Sequence, residues 1–158
     1  MEVKDLTSDT VEGFNWLESE LGYAREISQH QTFYYAKTIT YKKKNITIKF
    51  DCDNRESVLF FEIFVATKDR NLSIQEPKRL GDFYESDYVT EGPLGIEYKS
   101  VFDYTQNAFD RKEFMRLKNN AELQLKKRDG KKRYVDVFSQ LIKVALPAIE
   151  AATNPPTT

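Results

Sequence analysis

Asp51 and Asp53, separated by the chain's single cysteine, Cys52, stand at the end of the alternating run Ile46–Phe50. An apolar strand running into Asp-x-Asp is how phosphoryl-transfer enzymes of the haloacid dehalogenase type present a nucleophile. Their signature continues with a small residue, where this chain has Arg55, and then with a helix, where it has the strongly apolar stretch 58–66. Thr47, Lys49 and Asp51 also mark a wet face, whereas the nucleophile strand of such an enzyme is a parallel one buried on both sides. A turn accounts for every residue instead: Asp53 and Asn54 bond their own backbone, and Arg55 and Glu56 solvate the bend. A small Mg-dependent phosphohydrolase using Asp51 and Asp53 is therefore the alternative reading and the turn the preferred one.

The other reactive residues are few. A calcium loop needs a third oxygen ligand, a central Gly and a Glu at its twelfth position, and Asp51, Asp53 and Glu56 lack that spacing. Cys52 and His30 are the only thiol and the only imidazole, so a conventional zinc set is excluded by count. Whether the two meet in space is open in the sequence. "EGPLG" lacks the Lys-Ser/Thr ending of a phosphate-binding loop. No recognisable catalytic motif, metal site or cofactor site follows from these residues.

Two charge blocks remain. Between Asp82 and Asp103 six acids face Lys99 alone, interleaved with Phe83, Tyr84, Tyr88 and Tyr98. Tyr supplies contact area at low entropic cost, and acids beside it steer a basic partner. Asp82, Tyr84, Glu85, Asp87, Tyr88 and Glu91 are thus the candidate partner-binding residues. Between Arg111 and Arg133 ten basic residues face three acids, which offers nucleic-acid binding as a further alternative. "KKRDGKKR" surrounds a turn between two helices, however, and the chain as a whole carries a net charge of −1, so nucleic acid is disfavoured.

The elements that position these residues are read from periodicity. Val11, Phe14, Leu17 and Leu21 predict one helix, with Asp9 and Glu12 as its capping box and Gly22 as its left-handed end. Three strands follow: one in "TFYYAKTITY", one over Ile46–Phe50, and one over Val58–Ala66 that reads as central or covered on both faces. Their short connections predict an antiparallel meander of at least three strands. Residues 67–104 admit short helices or edge strands. Phe114, Leu117, Ala121 and Leu125 predict a helix ended by Gly130. A last helix carries Tyr134, Phe138, Leu141, Ala145 and Ile149, with Pro147 expected to kink or break it. The C-terminal helices are expected to pack on the sheet. The expectation is one α+β domain over residues 1–152 and a flexible tail over 153–158.

Phe14, Leu17, Gly22 and Tyr23, followed by a Tyr-rich strand, the Asp51–Glu56 motif and an apolar strand, resemble small uncharacterised bacterial α+β proteins. Some of these look like immunity proteins that neutralise a toxin. The resemblance covers residues 10–70. It implies a non-enzymatic protein whose partner is another protein, such as a basic toxin domain bound through the acidic segment Asp82–Glu91. One cysteine, no secretory leader and no bilayer-length apolar run point to a cytoplasmic, membrane-free protein. The apolar strand 58–66 must be covered, by this chain or by a second copy, which leaves a homodimer open.

Overall fold

The computed structural model describes residues 5–32, 35–55, 57–67, 71–75, 96–105, 110–125, 127 and 130–153. The chain forms α1 (Leu6–Gly13), α2 (Asn15–Ser19), β1 (Ala24–Gln29), β2 (Ala36–Lys43), β3 (Ile46–Asp53), β4 (Val58–Ala66), β5 (Asn71–Gln75) and β6 (Ile96–Ser100). A 3₁₀ turn (Val101–Tyr104), α3 (Arg111–Leu123) and α4 (Gly130–Thr153) complete it. The fold is α+β as expected. One six-stranded sheet has the order β1-β2-β3-β4-β5-β6, antiparallel throughout except for the last, parallel pair.

The N-terminal helix starts earlier than its sequence suggests, and it is two helices. Asp5, not Asp9, is the N-cap: its carboxylate accepts from Ser8 N–H at 2.9 Å, and Ser8 Oγ accepts from Asp5 N–H at 3.1 Å. The helix breaks at Phe14, which is buried against Phe50 with ring centroids 4.3 Å apart. A Cβ on Gly13 would lie 2.5 Å from Val135 Cγ1, so only glycine lets α1 approach α4 this closely. The Gly13 carbonyl accepts from Ser139 Oγ at 2.9 Å, and Ser139 Oγ in turn accepts from Trp16 Nε1 at 2.9 Å. Gly22 has the expected left-handed backbone, φ +77°.

Period-two alternation sends one face of β2–β5 into the core. Ile39 and Tyr41, Ile46, Ile48, Phe50 and Cys52, Leu59, Phe61, Ile63 and Val65, and Leu72 and Ile74 are all buried. Helix α4 presents Tyr134, Phe138, Leu141, Ala145 and Ile149 to the core, as its spacing predicts, and packs against α1, α3 and β4. Phe61, Phe138 and Phe114 form an aromatic chain through the helix–sheet interface, with centroids 5.6 and 6.5 Å apart.

Four features of these elements differ from what the sequence suggests. First, β1 was not legible as a strand: all six of its residues are exposed, so it shows no alternation. Second, Pro147 does not end the last helix. It sits on the exposed side, where water can take the carbonyl that its missing N–H leaves free. Third, Gly130 opens α4 instead of closing α3; its position lies so near the Gln124 carbonyl that an added Cβ would be 1.6 Å from that oxygen. Fourth, the buried stripe of α3 is Phe114, Met115, Lys118 and Ala121, while Leu117 is exposed. Lys118 lays its stem on the core with Nζ 5.6 Å from the Phe138 ring centre. No helix among the described residues is long and apolar enough to cross a membrane.

Candidate functional site

The acidic candidates Asp82, Tyr84, Glu85, Asp87, Tyr88 and Glu91 lie outside the described residues. Two other acids of that block serve structure. Glu97 pairs with Lys99 at 3.2 Å, and Asp103 caps the 3₁₀ turn by accepting from Ser100 N–H at 3.2 Å.

The Asp-x-Asp segment is the end of β3 and its turn into β4. Asp51 Oδ1 accepts from Thr38 Oγ1 at 2.8 Å across the β2–β3 pair, and Asp53 Oδ1 accepts from Arg55 N–H at 3.0 Å inside the turn. Asn54 fastens the turn to the rest of the protein. Its Oδ1 accepts from Thr7 N–H at 3.2 Å, and its Nδ2 donates to the Tyr35 carbonyl at 3.0 Å. Both aspartates thus have structural partners. Among the described residues no three His, Cys, Asp or Glu side chains gather where they could hold a metal ion.

Cys52 points to the opposite face from the two aspartates and is buried under α1, with Sγ 3.8 Å from Thr10 Oγ1. Burial pushes its thiol up to about 11, against a smaller downward pull from the Thr10 and Thr7 hydrogen bonds. It is therefore a thiol at neutral pH and a poor nucleophile. His30 continues β1 with its N–H donating to the Ala36 carbonyl at 3.0 Å, and Ala36 pairs with Asp53. That register places His30 on the face away from Cys52, so the two do not meet.

The basic block divides. Lys112, Arg116, Lys127, Lys132 and Arg133 are exposed, whereas Lys118 is turned into the core. The exposed members spread over α3, the α3–α4 turn and the start of α4, with Arg133 bonded to Gln124 Oε1 at 2.8 Å. A cleft of about 110 Å³ lined by Tyr23, Lys43, Lys44, Asn45, Ile46 and Glu150 joins α4 to the β2–β3 hairpin. Within it the Tyr23 hydroxyl donates to Glu150 Oε1 at 3.0 Å, and Lys43 Nζ lies 5.5 Å from the Tyr23 ring centre. Burial, reinforced by the Glu150 carboxylate, raises Tyr23 well above the usual tyrosine range.

The feature that sequence reasoning missed is the other face of the sheet. On β4, Phe60 is 51% and Phe64 38% exposed, although this strand was expected to be central or covered on both sides. It is central in the sheet, between β3 and β5, but buried on one face only. The two rings stand four residues apart on one face, about 13 Å along the strand. Register places Asp51 opposite Phe60, Lys49 opposite Glu62, and Thr47 and Ser73 on either side of Phe64. Glu62 Oε1 accepts from Ser73 Oγ at 2.8 Å, and Gln75 Nε2 donates to Ser73 Oγ at 2.6 Å, which ties the carboxylate to buried Ser73 on β5. On the open side β1–β4 carry Glu26, Asp51, Asp53 and Glu62 against Lys42 and Lys49. The signal was present in the sequence as Val58, Phe60 and Phe64 at period two; only its exposure could not be read. No protein-family model matches the chain, and no curated protein or solved structure matches it either.

Proposed function

We propose that this chain is a non-enzymatic protein-binding module that takes a basic protein domain on the open face of its sheet. The observation that carries the reading is the pair Phe60 and Phe64, exposed on a central strand that also carries Glu62, whose carboxylate is bonded to Ser73 on β5. Large rings on a rigid sheet supply contact area without much ordering cost, and exposed aromatic pairs with a polar rim mark interaction sites. The acids on this face outnumber its lysines, which favours a basic partner and speeds its encounter. The acidic, Tyr-rich composition of residues 82–103 points to the same class of partner. The partial resemblance to immunity proteins supports a basic toxin domain as that partner.

The test is capture from a lysate with wild type and with the Phe60→Ser/Glu62→Lys variant, followed by calorimetry on the purified partner. The expected result is a basic protein held by wild type, lost by the variant, with affinity that falls as salt is raised. An identical catch with both proteins, or an acidic partner with a flat salt response, would sink the proposal.

A further inference from the structure

We propose that β1 is a self-pairing edge: two copies of this chain join their sheets by aligning their β1 strands antiparallel about Ile27. All six residues of β1 are exposed, and Ile27 at its middle is 46% exposed. The direction of the backbone follows from the register. His30 N–H donates to the Ala36 carbonyl, and in an antiparallel pair such bonds recur at every second residue. Ala24, Glu26 and Ser28 therefore exchange hydrogen bonds with Lys42, Thr40 and Thr38 of β2. The N–H and C=O groups of Arg25 and Ile27 point the other way, out of the sheet's edge.

Protected edges carry prolines, bulges or inward-pointing charges. This strand has no proline and its six pairs with β2 run without a slip; Arg25 stands on the Tyr41 side of the sheet, but its charge and that of Glu26 are opposite in sign. A twofold axis normal to the sheet keeps each copy's faces aligned, so opposed residues must both be odd-numbered or both even-numbered. Centring on Glu26 would oppose that carboxylate to its own copy, which is unfavourable. Centring on Ser28 would leave Arg25 beyond the paired strand. Centring on Ile27 opposes Ile27 to Ile27, Arg25 to Gln29 and Glu26 to Ser28, so no like charges meet and the exposed isoleucines cover one another. Arg25 is also neutralised within its own copy by Glu18 at 3.5 Å. The partner is thus a second copy, and the pairing would set two open faces side by side.

The test is sedimentation equilibrium of the full chain over a concentration series, with two edge variants. Ile27→Pro removes an outward N–H without breaking any β1–β2 bond, a position where an edge strand tolerates proline. Ile27→Lys sets two ammonium groups against each other across the axis. Wild type is expected to dimerise, and each variant to associate at least about tenfold more weakly, with unchanged circular dichroism. Wild type that stays monomeric at its highest soluble concentration overturns the proposal. So does a dimer that survives both edge variants, and if Phe60→Ser alone dissolves it the contact is the open face.

Discussion

Tyr41→Phe is expected to stabilise this protein. Tyr41 is buried in the core face of β2, edge-on to Phe50 with centroids 5.9 Å apart and planes at 86°. Its hydroxyl is buried and has no hydrogen-bond partner among the described residues. Phenylalanine keeps the ring contact and deletes an oxygen that water bonds in the unfolded chain but no described residue bonds in the fold. An unsatisfied buried polar group costs about 1–3 kcal/mol, so the variant should gain about 1–2 kcal/mol at pH 7, a rise in Tm of a few degrees. A second signature separates this cause from generic repacking. Burial pushes the Tyr41 hydroxyl up to about 12 from 10.0, only partly offset by the charge of Arg25. The neutral form is the one that fits the fold. Stability from this group is therefore complete below pH 10 and falls as pH rises from 10 towards 12, as the unfolded chain gives up the proton first. By pH 11 the gap between variant and wild type should widen by about 1.4 kcal/mol beyond its pH 7 value. Urea unfolding followed by circular dichroism at pH 7 and pH 11 measures both. A variant less stable than wild type at pH 7 would mean that the hydroxyl has a bonded partner, such as a buried water. A gap that stays constant with pH would refute the burial argument.

Three further outcomes are expected. Gly22→Ala should cost about 1 kcal/mol in urea unfolding, from its φ of +77° alone, because an added Cβ meets nothing within 4 Å. Gly130→Ala should cost more, about 2–3 kcal/mol, since its Cβ would strike the backbone of Gln124; a loss no larger than at Gly22 would mean that the α3–α4 turn yields freely. Native Cys52 should alkylate with iodoacetamide at pH 8 at least about a hundredfold more slowly than free cysteine, and at the free rate in urea; rapid native labelling would show that α1 opens readily.

What the sequence reveals and what it hides divide along physical lines. Ile46, Ile48 and Phe50 alternate because one side of β3 packs on helices, so burial writes itself into the residue types. Tyr134, Phe138, Leu141, Ala145 and Ile149 do the same for α4. The strand β1 has only Ile27 as a large apolar residue, and its conformation follows from pairing with β2. No local pattern could announce it. The break at Phe14 is likewise set from a distance, by Val135 and Ser139 on α4. Pro147 misleads because the cost of proline in a helix depends on whether the freed carbonyl reaches water, which composition does not record. At the candidate site, the turn reading of Asp51 and Asp53 could be made from neighbours alone. The exposure of Phe60 and Phe64 could not, because an apolar residue on a strand reads the same whether its face is covered or open.

The links from Trp16 and Gly13 to Ser139, and from Tyr23 to Glu150, span 123 to 127 residues of chain. None of them can form on the ribosome until α4 has left it. The strands through β4 are complete at Ala66, whereas α4 ends at Thr153. At about 5–20 residues per second, roughly 4–17 seconds separate the two events during synthesis. Throughout that interval the apolar side of the meander, from Ile39 to Val65, waits without its α4 cover. The nascent protein therefore presents a hydrophobic sheet to its surroundings for a time set by translation, and slowed elongation after β4 should raise its dependence on chaperones.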